Sequence, residues 1–195
     1  MKKVLTLLGV AMMLLLTVSA ARAQKFKVLE GDMKALKSIT ALKMEYVYSP
    51  MGVGKFDEEA AYLNKKVKEY NDKESGKGDR WKKAWVEDRK KRFEPAFEEL
   101  FNKHADAQVG PKGTYKMIMH TTFTEPGYNV VVHRKNASID AVFTILDAGG
   151  KVLAKIQMSG APGRTYGGYD YDTGERIEES YAMAGKALAK KYFSK

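Results

Sequence analysis

The sequence predicts an α+β domain with an α/β-like order of elements. A single mixed β-sheet of about five strands carries helices packed mainly on one face, and the chain closes in a C-terminal β-hairpin followed by a terminal helix. Three observations carry this. Residues 139–160, IDAVFTILDAGGKVLAKIQMSG, alternate apolar and other residues on both sides of Asp147-Ala148-Gly149-Gly150, as a hairpin with one buried face does. The β-rich runs 39–48 and 114–124 precede it. Residues 57–70, 79–104 and 175–193 place apolar side chains at helical spacing.

The first residues read as a targeting segment rather than as part of the fold. Lys2 and Lys3 precede an apolar run from Val4 to Val18, and Ala21-Arg22-Ala23 offers the small residues a signal peptidase reads. The run is shorter than the roughly 20 residues a membrane span needs, so cleavage after Ala23 is expected. The domain plan is therefore a cleaved signal peptide, 1–23, and one α+β domain, 24–195, exported to the periplasm or cell envelope with no later transmembrane segment. Loss of Lys2, Lys3 and Arg22 lowers the formal net charge from +10 to +7. That favours anionic surfaces in general, but an exported protein rarely meets nucleic acid, and none is expected as a partner. The absence of cysteine excludes disulfides, thiolate metal sites, cysteine nucleophiles and a lipid-modified cysteine.

Along the mature chain, Phe26, Val28 and Glu30 alternate with Lys27 and Leu29 in a short strand ending at Gly31-Asp32. The run 39–48 makes a longer strand that breaks at Ser49-Pro50. Residues 51–56, MGVGKF, place two glycines before a lysine. A phosphate loop needs wider glycine spacing and a Ser or Thr after the lysine, where this chain has Phe56, so a flexible strand-to-helix turn is expected. Asp57 is the expected N-cap of a helix whose stripe is Ala60, Leu63, Val67 and Tyr70, with a mobile surface loop at 71–78 behind it. A second helix is expected from Asp79 to His104, kinked or restarted at Pro95. Its Trp81 and Trp85 anchor it on the sheet while Arg89, Lys90, Lys91 and Arg92 sit in water. Glu87, Asp88, Glu94, Glu98 and Glu99 interrupt the positive face that a lipid-binding helix would keep.

The third strand, 114–124, places Met117, Met119, Thr121 and Phe123 on one face and Ile118, His120 and Thr122 on the other. The long helical connection before it permits a parallel crossover. Pro126-Gly127 turns the chain, and 130–133 is a short strand or extended link into the hairpin. After the glycine- and tyrosine-rich loop 160–174, the last helix buries Ile177, Tyr181, Ala184 and Leu188. There Gly185 and Ala187 permit close packing.

The chemistry-bearing residues are few. If the segments holding His120 and His133 pair, those rings and a carboxylate would bind a metal. No His-x-x-x-His spacing supports that, and half-exposed strand residues are expected instead. Asp170, Asp172 and Glu175 lack the further ligands of a calcium loop. No cofactor and no metal are expected, and no nucleophile or carboxylate pair marks an enzyme. The loop residues Arg164, Tyr166, Tyr169, Asp170, Tyr171 and Asp172 are the candidate ligand or partner site. Tyrosine offers large contact area at low entropic cost, and long ordered loops are often functional.

The hairpin pattern at 139–160, followed by a glycine-rich loop and a terminal helix, resembles small exported bacterial proteins of unknown function. These resemble the N-terminal domain of TolB and the auxiliary components of envelope transport systems. Segments 51–56, 81–93, 126–137 and 169–186 are also similar to exported proteins of the Bacteroidetes type. Many of the envelope group are lipoproteins, a feature that a chain without cysteine departs from. The resemblance implies a small sheet with helices on one side, and supplies no catalytic residue.

The expected function is a non-catalytic envelope or periplasmic binding module for an unknown envelope protein or other component. It would act through a sheet edge, the 51–56 turn or the tyrosine loop. The alternative is a small-ligand, glycan-type binder at the loop 160–174. N-terminal sequencing of the exported protein is expected to begin at Gln24; a start at Met1 would overturn the signal segment.

Overall fold

The computed structural model describes residues 24–130, 133–164 and 171–195. The expected signal segment 1–23 and the loop residues Tyr166, Tyr169 and Asp170 lie outside the described residues.

Strand β1 (Lys25–Gly31) leads into one helical turn, α1 (Met33–Leu36), whose N-cap Asp32 accepts a hydrogen bond from the Lys34 N–H at 2.8 Å. Strands β2 (Ala41–Val47) and β3 (Gly52–Val53) follow, separated by a cis Ser49–Pro50 peptide. Helix α2 (Glu59–Asn71) starts one residue later than the expected cap predicts. Glu58 rather than Asp57 is the N-cap, and its side chain makes no capping bond.

The stretch between α2 and α3 (Lys77–Asp88) is a bracketed corner and not the open loop expected from its polarity. Asn71 Oδ1 accepts from Gly78 N–H at 2.7 Å while Asn71 Nδ2 donates to Asp79 at 3.1 Å. A Cβ at Gly78 would meet the Val67 carbonyl oxygen at 2.2 Å, so only glycine lets the two helices cross there.

Helix α3 continues through a π-helical turn, Arg89–Phe93, into α4 (Glu94–His104). The irregularity expected at Pro95 thus lies in the turn before it. Proline lacks an N–H and its ring crowds the preceding turn, and the widened turn takes up both.

The second half is mostly sheet. Strands β4 (Gln108–Val109) and β5 (Tyr115–Glu125) are followed by a separate two-stranded hairpin, β6 (Tyr128–Val130) and β7 (His133–Lys135). The expected main hairpin is β8 (Ser138–Leu146) and β9 (Val152–Pro162), before α5 (Gly174–Leu188) and a closing π-helical turn, Ala189–Phe193. Among the described residues, seven strands form one mixed sheet in the order β1-β9-β8-β5-β2-β4, with β3 also paired to β5. β2 and β3 run parallel to β5, so α2, α3 and α4 make the crossover; the remaining neighbours of β5, β8 and β9 are antiparallel.

One face of this sheet forms the core. Ile139, Ala141, Phe143 and Ile145 of β8 and Ala154, Ile156 and Met158 of β9 are buried, while Lys151, Lys155 and Gln157 are exposed, as the alternation requires. Burial of each large side chain is worth about 1.5–3 kcal/mol. Asp147 closes the hairpin turn, its Oδ1 accepting from the N–H groups of Gly149 and Lys151 at 2.9 Å each.

Helices α4 and α5 cover this face. Phe97 stacks on Phe143 with ring centroids 5.9 Å apart, and Phe93 stacks on Tyr181 at 4.9 Å. The Tyr181 hydroxyl shares a 2.8 Å hydrogen bond with Thr121 Oγ1. No helix among the described residues is long and apolar enough to cross a membrane.

The two helices meet at Gly185, where an added Cβ would lie 2.3 Å from the Phe97 carbonyl oxygen. Alanine gains about 1 kcal/mol of helix propensity, but a backbone clash of this kind outweighs it. Gly185→Ala is therefore expected to lose about 2 kcal/mol in urea denaturation; unchanged or increased stability would mean that α4 and α5 do not approach this closely.

Candidate functional site

A β-bulge in β5 prepares the site. Lys116 through Thr121 pair residue for residue with β8, and then Thr122 is left over before Phe123 pairs with Asp140. One extra residue inverts the inside–outside alternation. Thr124, rather than the expected Phe123, joins the buried face, and Glu125 beside it is also buried.

The strand-to-helix turn at 51–56 docks against this end of β5. Val53 N–H donates to the Phe56 carbonyl at 2.9 Å and Phe56 N–H returns a 3.0 Å bond to Val53. Gly54, at φ +59°, turns the chain and donates its N–H to the Thr124 carbonyl at 2.9 Å. The turn is thus closed by hydrogen bonds rather than flexible, and the Gly54 N–H is already engaged within the protein. Phe56 is carried to within 6.0 Å of Tyr62 on α2, centroid to centroid.

Across from that turn stands the β6–β7 hairpin, in which Tyr128 pairs with Lys135. Between the two walls lies an open cleft of about 410 Å³, lined on one side by Lys55, Phe56, Tyr62 and Lys66 and on the other by Tyr128 and Lys135. Glu125, Pro126, Gly127 and Thr173 form its floor. Glu125 is held by the Lys135 ammonium, and its Oε1 accepts the Gly127 N–H at 3.1 Å. Beneath the floor, the buried Arg176 guanidinium donates to the carbonyls of Pro126 and Gly127 at 3.4 and 3.5 Å, so α5 positions this turn. Burial raises the Tyr62 phenol far above its ordinary range, with Tyr70 and Glu125 adding to the shift, so it faces the cleft as a neutral hydroxyl.

The tyrosine-loop residues that the structure describes lie elsewhere. The Tyr171 ring sits edge-on to Tyr70 at 5.2 Å, and its hydroxyl donates to the Lys77 carbonyl at 3.2 Å, so it caps the α2–α3 corner. Asp172 takes two hydrogen bonds from Arg92, at 3.0 and 3.2 Å, and accepts the Gly174 N–H at the start of α5. Arg164 pairs with Glu175 and Glu179. Tyr171 and Asp172 border a niche of about 140 Å³ with Trp81, Trp85, Asp88 and Arg92, whereas Arg164 lines neither cavity.

The two tryptophans pack with Tyr62 and Tyr70 across the α2–α3 pair, and not on the sheet. Of the basic run, Lys90 and Lys91 are exposed as expected, in surface ion pairs, whereas Arg89 and Arg92 are half-buried. Arg89 binds Glu59 at 2.6 Å, Lys90 binds Glu94, Lys91 binds Glu87, and Arg92 bridges Asp88 and Asp172. Burial raises the Asp88 carboxyl above its usual range, while Arg92 pulls it back down.

β5 and β7 do not pair, which separates the strands that would have brought His120 and His133 together. His120 Nε2 instead lies 2.8 Å from the Pro50 carbonyl oxygen. Among the described residues, no group of three or more His, Asp or Glu side chains could hold a metal ion.

Phe56 and Lys55 belong to a turn that the sequence marked as a possible contact surface. Tyr62, Lys66, Glu125, Tyr128, Lys135 and Arg176 carried no local signal of a site. The Tyr128–Lys135 juxtaposition would have followed from reading 128–135 as a hairpin, but the bulge that turns Thr124 inward leaves no mark in the residue pattern.

No family model matches this chain, and no curated protein matches it either. Among solved structures, a PelC dodecamer from Paraburkholderia phytofirmans is similar at 10% identity and TM-score 0.41, over 88% of this chain and 99% of that one. A protein from Xanthomonas campestris of the family model DUF330 is similar at 12% identity and TM-score 0.36, over 77% of this chain and 81% of that one. At these scores the likeness carries no inference about this chain. Neither protein is described as a TolB domain, a transport auxiliary component or a Bacteroidetes protein, so the resemblance read from the sequence gains no support from them.

Arg92 is the clasp between the α3–α4 junction and the start of α5. Its ion pair with Asp172 is substantially exposed and worth little by itself, but Asp88, whose side chain is 15% exposed, would lose its partner. Arg92→Ala is expected to lower stability by about 1 kcal/mol and to speed amide exchange at 171–174. Unchanged exchange there would show that the clasp does not hold this segment.

Proposed function

We propose that this chain is a non-catalytic binding protein of the periplasm or cell envelope, and that the component it binds seats in the cleft between the 51–56 turn and the β6–β7 hairpin. One observation carries the reading: three separate elements converge to present the rings of Phe56, Tyr62 and Tyr128 beside the ammonium groups of Lys55, Lys66 and Lys135. Concave sites with apolar walls and a few placed polar groups are where small ligands bind. The non-catalytic part is supported by the state of Glu125, the one carboxylate among the described lining residues, which is tied to Lys135 and to the Gly127 N–H. An envelope location is supported by the N-terminal residue pattern. The described loop residues Tyr171 and Asp172 hold α5 and α3 together from the opposite side of Thr173, which borders both cavities.

A second reading, a protein partner added along the edge of the sheet, is favoured by Val28 and Leu29, which are 42% and 44% exposed on the edge strand β1. Against it stand the β-bulge that leaves Leu29 unpaired and the edge charges Lys25, Lys27 and Glu30, devices that blunt strand addition.

Hydrogen exchange of the mature protein, alone and mixed with soluble envelope extract, separates the two. Protection is expected at 52–56, at 125–128 and in His133–Lys135. Protection confined to Lys25–Gly31 would establish the edge reading in its place, and protection nowhere would overturn the cleft.

A further inference from the structure

We infer that the cleft takes an anionic saccharide, a short sugar segment carrying carboxylate or phosphate groups; this rests on the cleft being the binding site, as proposed above. The charge of the lining comes first. Three lysines face one carboxylate, and that carboxylate is already bound to Lys135 and a backbone N–H. Lys66 shares Glu69 at 3.5 Å with Lys65, and Lys55 makes no ion pair among the described residues. Its ammonium lies 5.8 Å from the Phe56 ring centroid, with Lys65 at 5.9 Å from the same ring. An excess of cations along a concave, low-dielectric wall concentrates anions.

The rings decide what kind of anion. Tyr128 is 41% exposed and Phe56 half-buried, so both walls offer an aromatic surface next to a lysine. A pyranose presents an apolar C–H face and a polar rim, which fits a ring face flanked by ammonium groups. A bare inorganic anion would seek a cradle of backbone N–H groups, yet the N–H of Gly54 is spent on Thr124 and that of Gly127 on Glu125. A lipid would need an apolar track for its acyl chain. The other exposed large apolar residues on non-aromatic positions, Val28, Leu29 and Val86, are absent from the lining. A volume of about 410 Å³ suits a small ligand and not the face of a folded partner.

Titration calorimetry on the mature protein tests this with defined probes: trigalacturonate, glucose 6-phosphate, neutral maltotriose, hexaglutamate peptide and inorganic phosphate. Trigalacturonate or the sugar phosphate is expected to bind, and which of the two binds more tightly identifies carboxylate or phosphate as the source of charge. Maltotriose and phosphate are expected to bind at least about tenfold more weakly. Added salt should weaken the interaction. Lys55→Ala and Tyr128→Ala, both at exposed positions, should each weaken it about tenfold without unfolding the protein.

Equal binding of maltotriose, preference for hexaglutamate or for phosphate alone, or indifference to both substitutions would overturn the inference. Failure of every saccharide probe, with exchange protection by envelope extract still at the cleft, would overturn the saccharide and leave the cleft standing. Loss of both would remove both.

Discussion

The contact on which the rest of the structure depends is the close seating of α4 and α5 over one face of the sheet. Gly185 brings the α5 backbone against the Phe97 carbonyl, and Phe97 in turn covers Phe143 at the centre of the β8–β9 hairpin. This places Tyr181 over Thr121 and Arg176 under the Pro126-Gly127 turn. The dominant driving force is removal of apolar surface from water, but its geometry is set by a missing side chain. A larger residue at Gly185 would lift α5 and, with it, the support of the cleft floor.

The cleft exists because local irregularities accumulate at one end of the sheet. The Thr122 bulge turns Thr124 inward in place of Phe123, and Glu125, the last residue of the strand, is held at the base of the β6–β7 hairpin by Lys135 and the Gly127 N–H. The Val53–Phe56 turn closes on itself and projects Lys55 and Phe56 toward that hairpin. Bulges and tight turns re-aim side chains at little energetic cost, and sites therefore collect beside them.

Charge serves two different purposes in this molecule. In the run Arg89–Phe93 the two arginines are consumed internally, while Lys90 and Lys91 stay exposed in surface ion pairs. The π-helical turn directs Arg89 to Glu59 and against the Tyr48 ring, and Arg92 to Asp88 and Asp172, so that the α3–α4 junction is tied to α2 and to the start of α5. Around the cleft, by contrast, the lysines outnumber their partners. A basic composition alone does not distinguish structural from available charge; the pairing does.

The architecture was legible in the sequence because burial is periodic. The hairpin at 139–160, the strand runs and the helical stripes each repeat at the spacing of their own backbone, and the class and the buried face of β8 and β9 follow from that; the length of the helical connection permitted a parallel crossover, which the pairing of β2 with β5 decided. Short elements with only two or three residues, such as β3 and β4, fall below any periodic signal, as does the hairpin β6–β7. The sequence also determined that disulfides and thiolate chemistry play no part. Tertiary structure alone decided the Thr122 bulge, the Arg92 clasp, the packing of Trp81 and Trp85 across two helices, and the meeting of Lys55, Lys66, Tyr128 and Lys135 around one cleft. Those features depend on contacts between residues distant in the chain, whose approach is set by strand register and helix seating and leaves no trace in local spacing.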